Sequence, residues 1–225
     1  MTGHRTIHSS DRKDAAGDTV DVVQARTLAV AGHTFTAPEG LVRQGKGGGG
    51  GTLGIILFRD VLLTLDYPRD RMEISAGSLP APNGHDVLPY ITYPDAAFKV
   101  LQVTPTVTVQ LAGQALPALL DTAAGHLNAD IIVPVKIAAT LPLGPTESEF
   151  MLGGSIGTKY PAHTATLKGN LVLGDVVIRN PKVLVSDWLT FVDLARVSRR
   201  LALTIDQRNH RIRIEMPETG SPAAP

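Results

Sequence analysis

Short apolar stretches alternate with turn residues along most of the chain. TLAVAGHTF, DVLLTLDY, VTPTVTVQL, NLVLGDVVI, KVLVS and LALTIDQ are rich in Val, Leu, Ile and Thr and are bounded by Gly, Pro, Asn or Asp, a pattern that predicts strands and tight turns. A period near 3.6 is rare; its best instance, LTFVDLARVSRR at 189–200, predicts one short helix at most. The expected fold class is therefore all-β, a sandwich or barrel. Residues 1–18 and 217–225 are expected to be disordered from their polar or Pro- and Gly-rich composition. Residues 76–97, which contain AGSLPAPNGHD, are expected to connect two units, because Pro, Gly and Asn break a continuing strand.

The pattern also repeats. LFRDVLLTLDYPRDRMEI (57–74) aligns without a gap on VSRRLALTIDQRNHRIRI (197–214), an offset of 140, with Arg59/Arg199, Leu63/Leu203, Thr64/Thr204, Asp66/Asp206, Arg71/Arg211 and Ile74/Ile214 identical. Each copy reads as strand, Asp-initiated turn and strand. Upstream, TLAVAGHTFTAP (27–38) matches NLVLGDVVIRNP (170–181) about 143 residues on. Two matches in the same order imply a duplicated unit.

Candidate chemistry enters at LPALLDTAAGHL (116–127), where an apolar run ends in Asp121-Thr122 and small residues. A carboxylate there is either a solvated Asp opening a turn or a working group, since burying it unpaired is costly. Together with the duplication, LLDTAAG at 119–125 and LGIILFRD at 53–60 resemble the two signatures of the retropepsin-like aspartic peptidases, the family of retroviral proteases and of bilobed pepsin. LTLDYPRDRMEI resembles the closing hairpin of bacterial members, and the resemblance spans about residues 19–216. It implies two related β-barrel lobes: a partial first lobe at 19–75, the connection at 76–97, and a second lobe with the Asp-Thr-Ala motif at 98–216.

In that family two aspartates share one proton and hold a water, one as general base and the other as acid. The resemblance makes Asp121 one catalytic carboxylate and Thr122 the hydroxyl that braces the loops, with Ala123 where Gly is usual. Subtracting 140 from 121 gives a position before Met1, so the first lobe is expected to be incomplete and the second aspartate to come from elsewhere, including a second copy of the chain. Asp18-Thr19-Val20 follows AAG rather than an apolar strand and reads as a turn. Leu53-Gly54 supply the apolar-Gly signature of the first unit, whereas Val192-Asp193-Leu194 has no glycine. FMLGGSIGTKY (150–160), with Gly153, Gly154 and Gly157, falls where these enzymes carry a mobile flap; it reads equally as an ordinary Gly-rich hairpin.

Composition removes other classes. Lys plus Arg equal Asp plus Glu at 21 each, so no basic field draws nucleic acid. No apolar run reaches the roughly 20 residues of a membrane helix; MTGHRTIHSSDRKD carries no secretory signal, and a soluble protein of open compartment is expected. Zero cysteines exclude thiol chemistry and disulfides. KGGGGGT at 46–52 places its Lys before the glycines and reads as a flexible loop rather than a phosphate loop. The seven histidines are scattered, with His4 and His8 read as solvated and His126 as a turn residue. No cofactor or metal is expected. Two functions remain: an aspartic endopeptidase acting on peptide or protein substrates, or a non-catalytic peptide-binding or degenerate module of the same fold.

Overall fold

The computed structural model describes residues 4–7, 21–42, 53–92, 104–121, 128–153 and 159–217. They are mostly strand and turn, with two four-residue α-helices among them. The fold is all-β, as the alternation of apolar positions predicts. By contacts the chain divides into two compact units, residues 1–59 with 93–103 and residues 60–92 with 104–225.

The first unit contains β1 (His4–Ile7), β2 (Asp21–Ala25), β3 (Thr27–Val30), β4 (His33–Thr36) and β5 (Glu39–Val42). β1, β2 and β5 form an antiparallel sheet in that order, and β3 and β4 a hairpin. β1 lies within 1–18, where disorder is expected; β2 takes up its backbone groups, with His4 opposite Ala25 and Ile7 opposite Val22. A polar strand needs a ladder rather than an apolar face. A 3₁₀ turn at Ile55–Phe58 buries Phe58, edge-on to Phe35 at 5.4 Å.

The second unit opens with β6 (Leu62–Asp66), β7 (Arg71–Ser75) and β8 (Val87–Pro89). β9 (Thr106–Leu111) and β10 (Gln114–Leu119) follow as a hairpin, then β11 (Ile131–Val133), α1 (Val135–Ala138), β12 (Ser148–Gly153) and β13 (Lys159–Thr166). β14 (Asn170–Leu173), β15 (Val176–Arg179), β16 (Lys182–Ser186), β17 (Val192–Asp193), α2 (Ala195–Ser198), β18 (Ala202–Asp206) and β19 (Arg211–Glu215) complete it. Nine strands form one sheet, in the order β12-β13-β16-β11-β17-β10-β9-β14-β15, and five form another, β7-β6-β18-β19-β8. Strand β8 lies inside 76–97; it occupies a sheet edge, where Pro89, which lacks an N–H, is tolerated. Of the helix predicted at 189–200 only Ala195–Ser198 forms. Val192 and Leu194 are fully buried, and their alternation about Asp193 is a strand's period.

Residues from both sheets, among them Leu88, Val107, Leu111, Ile131, Val185, Leu203 and Ile212, form the main core. A smaller cluster of Ala129, Ile132, Ala162, Leu184 and Ala195, with Leu152, Trp188 and Leu189 against it, covers the other face of the central strands. Trp188 thus packs, partly buried, against this cluster.

The duplication appears in the backbone. β6 and β18 pair antiparallel about Thr64 and Thr204, the repeat-equivalent residues, whose hydroxyls lie 2.9 Å apart. Asp66 and Asp206 each accept from the backbone N–H three residues on, Arg69 and Asn209, both at 3.2 Å. Asp70 and His210, again 140 apart, both take positive φ, 49° and 52°. At the other offset, Ala37 and Asn180 have φ 51° and 46°, and their N–H groups donate to Arg26 O at 3.0 Å and Gly169 O at 2.8 Å. Even the order β1-β2-β5 repeats as β12-β13-β16. Among the described residues the first unit holds no counterpart of β9 and β10.

Candidate active site

Asp121 stands at the exit of a buried strand. β10 is hydrogen-bonded to β9 on one side and to β17 on the other, with Leu119 opposite both Thr106 and Asp193. Leu120 is 2 % exposed and its N–H donates to Pro105 O at 2.9 Å, while Leu194 N–H donates to Leu119 O at 2.9 Å. The chain then emerges at Asp121, which is half-buried. Thr122, Ala123 and His126 lie outside the described residues, as do Gly154 and Gly157. Gly153 ends β12 and is exposed, with open space where a Cβ would stand.

Helix α2 fastens both sides of the segment that begins at Asp121. Its buried Ser198 donates from Oγ to Ala195 O at 2.7 Å and reaches Asp121 O at 3.3 Å. On the far side Arg196 donates to Asn128 Oδ1 at 3.1 Å, Val197 N–H to Asp130 O at 3.2 Å, and Arg200 forms an ion pair with Asp130. Asp130 Oδ2 in turn accepts from Lys182 N–H at 2.9 Å, which ties this clamp to β16. The strand end that carries Asp121 and the segment Asn128–Asp130 are therefore both fastened by the stretch from Ala195 to Arg200, and a catalytic group needs such a fixed position.

A second carboxylate lies beside it. Asp193 is 1 % exposed; its Oδ1 accepts from Ala195 N–H at 2.7 Å, and its Oδ2 is buried with no hydrogen-bond partner among the described residues. Burial pushes the Asp193 carboxyl up to about 7; the Ala195 N–H opposes that shift and the Asp121 charge adds to it. Thr106 Oγ1, opposite Leu119 from the other side, is likewise buried without a partner. Sequence reasoning noted Val192-Asp193-Leu194 only for its lack of glycine. The available signal was a charged residue at the centre of an apolar alternation. Ser198, Asp130 and the arginines of α2 had no such signal.

The hairpin β12–β13, expected as a flap or an ordinary turn, is long and exposes Phe150 and Met151, while Leu152 packs on the smaller cluster. A shallow hollow of about 460 Å³ opens at the opposite end of β10, lined by residues including Ala112, Gly113, Lys168 and Asn170; it shares no residue with the two carboxylates. Among the described residues no group of three His, Asp or Glu side chains converges as a metal site, and no helix is long and apolar enough to cross a membrane.

No family model matches the sequence, and no curated protein matches it. Among solved structures the chain is similar to EIAV protease complexed with the inhibitor HBY-793, at 20 % identity and a TM-score of 0.34 over 41 % of this chain and 82 % of that one. It is also similar to a retropepsin-like aspartic protease from Rickettsia conorii, at 14 % identity and a TM-score of 0.35 over 57 % of this chain and 87 % of that one. Its structural neighbours are thus retropepsin-like aspartic proteases.

Proposed function

We propose that this chain is an aspartic endopeptidase-like protein in which Asp121 is one of a pair of carboxylates that activate water against a peptide bond. The observation that carries the reading is the placement of Asp121: a half-buried carboxylate at the end of an apolar strand, its carbonyl held by Ser198 of α2. Such a group polarises a water held against it, and a second, protonated carboxyl donates to the scissile carbonyl. Thr122 and Ala123 complete the triplet. Asp193 is closed off from solvent and does not touch that water, so the acid partner comes from outside the described part of unit 2. A second copy of the chain is one source, through a symmetric pairing of two Asp121 loops. Lobe boundaries of 19–75 and 98–216 accompany this reading, with the hairpin β6–β7 belonging to the first lobe by repeat and to the second unit by packing.

A second reading is a peptide-binding module without turnover. Two substitutions favour it: Ala123 in place of the small Gly of the triplet, and Leu194 at the position of the second-signature glycine. Hydrolysis of a mixed peptide substrate at mildly acidic pH, measured with and without a statine-type inhibitor, separates the two. Inhibitor-sensitive turnover supports the peptidase; peptide binding with no turnover across the pH range supports the module. A sizing column run alongside tests the pairing, since a fully active monomer rules it out.

A further inference from the structure

The least expected group in the molecule is Asp193. It takes a place where the repeat mate in the first unit, Leu53, is apolar and 50 % exposed, and where an apolar side chain fits the alternation Val192-Asp193-Leu194. A carboxylate removed from water costs several kcal/mol unless paired, yet one of its oxygens has no partner among the described residues. The residue that supplies its one hydrogen bond, Ala195, is fully buried and has φ 24°, a conformation costly for a residue with a Cβ. A half-satisfied buried carboxyl and a strained backbone meet where β17 runs into α2, and β17 is hydrogen-bonded to β10, the strand that delivers Asp121.

We propose that Asp193 is a positioning residue for Asp121: a buried acid that stays neutral while the site is working and that, on losing its proton, sets a second negative charge beside Asp121 and switches the site off. This rests on the reading of Asp121 as a working carboxylate. The charged groups around Asp193 favour the assignment. On the β10 side the neighbour is Asp121 itself, which opposes ionisation of Asp193. On the β11 side Asp130 is neutralised by Arg200. On α2, Arg196 is directed to Asn128, and just past its end Arg199 lies over the Tyr67 ring at 5.5 Å. No cation is hydrogen-bonded to the Asp193 carboxyl among the described residues, so its neutral form is the stable one over the acid range. Two carboxyls so coupled titrate as a pair, and the charge of one is felt in the proton affinity of the other.

The test is a carboxyl-carbon NMR titration of the full chain with labelled aspartate, the Asp193 resonance being assigned by its loss in Asp193→Asn, or in Asp193→Leu should the amide variant fail to fold. The expected result is an Asp193 midpoint near neutrality that moves to lower pH in Asp121→Asn. An Asp193 midpoint in the ordinary carboxylate range, or one unmoved by Asp121→Asn, overturns the proposal. Turnover gives the second arm: the loss of peptide hydrolysis towards alkaline pH is expected to shift to higher pH in Asp193→Asn, and an unshifted profile also overturns it. Absence of any hydrolysis in the wild-type chain counts against the peptidase reading alone, because the NMR coupling is read without substrate.

Discussion

The turn at 53–58 and the turn at 193–198 are copies of one element, and they differ where it matters. Each follows a chain segment into a single helical turn, Ile55–Phe58 in one unit and Ala195–Ser198 in the other, 140 residues apart. In the first, Leu53 is half exposed and Gly54 is extended, with φ −70° and ψ 142°. In the second, Asp193 and Leu194 are buried, and Leu194 has already turned, with φ −81° and ψ 8°. Both copies keep a helical turn at the same offset, but the approach to it differs, and an exposed apolar residue in one stands where the other has a buried acid. A scaffold tolerates such a buried acid only where something offsets the cost, and beside the second turn stand β11 and the strand that delivers Asp121. The hairpins that follow teach the converse. There the same aspartate keeps the same job in both copies, capping a turn.

The largest effect that tests this contrast is on pH-dependent stability. Asp193 has an ordinary value of 3.8 when unfolded and about 7 when folded. Between these values the folded state binds more protons than the unfolded state, so stability falls as pH rises from about 4 to about 7 and levels off above, by up to about 1.4 kcal/mol per pH unit. Urea titrations of Asp193→Leu, which restores the apolar character of Leu53, are expected to show that slope flattened; parallel curves for the two proteins break the contrast.

A smaller effect is expected at the hairpin caps. Asp206 is 2 % exposed and also accepts from Leu79 N–H at 2.9 Å and Asn209 Nδ2 at 2.8 Å, whereas Asp66 holds only the Arg69 N–H and its guanidinium. Asp206→Ala is expected to cost about 3 kcal/mol and Asp66→Ala about 1 kcal/mol in chemical denaturation. Equal losses mean that the two caps are interchangeable. Smallest is the symmetric pair: Thr64→Val and Thr204→Val are each expected to cost about 1 kcal/mol, and the double variant less than their sum, because both remove the one 2.9 Å contact. Strict additivity would mean that the contact between the two hydroxyls adds nothing to stability.

Much of this was legible in the sequence. The strands follow from Val, Leu, Ile and Thr runs between turn residues; the repeat at 140 located the Thr64–Thr204 centre, and the apolar run before Asp121 located the candidate site. Asp193 was missed because a lone acid inside LTFVDLARVSRR satisfies a helix's solvated face as well as a strand's buried one; only pairing to β10 and β11 chooses between them. The clamp of α2 joins Arg200 to Asp130 and Arg196 to Asn128 across about 70 residues, a separation that leaves no local pattern. β1 was unreadable because its partner ladder, not its composition, makes it a strand.

The central claim is that Asp121 does chemistry, and the most direct measurement is the peptide turnover rate of Asp121→Asn beside the wild-type chain at mildly acidic pH. Asparagine preserves the shape and removes the proton acceptor, so the account predicts a loss of about a thousandfold or more in a protein that still folds. Turnover undiminished by that substitution would contradict it.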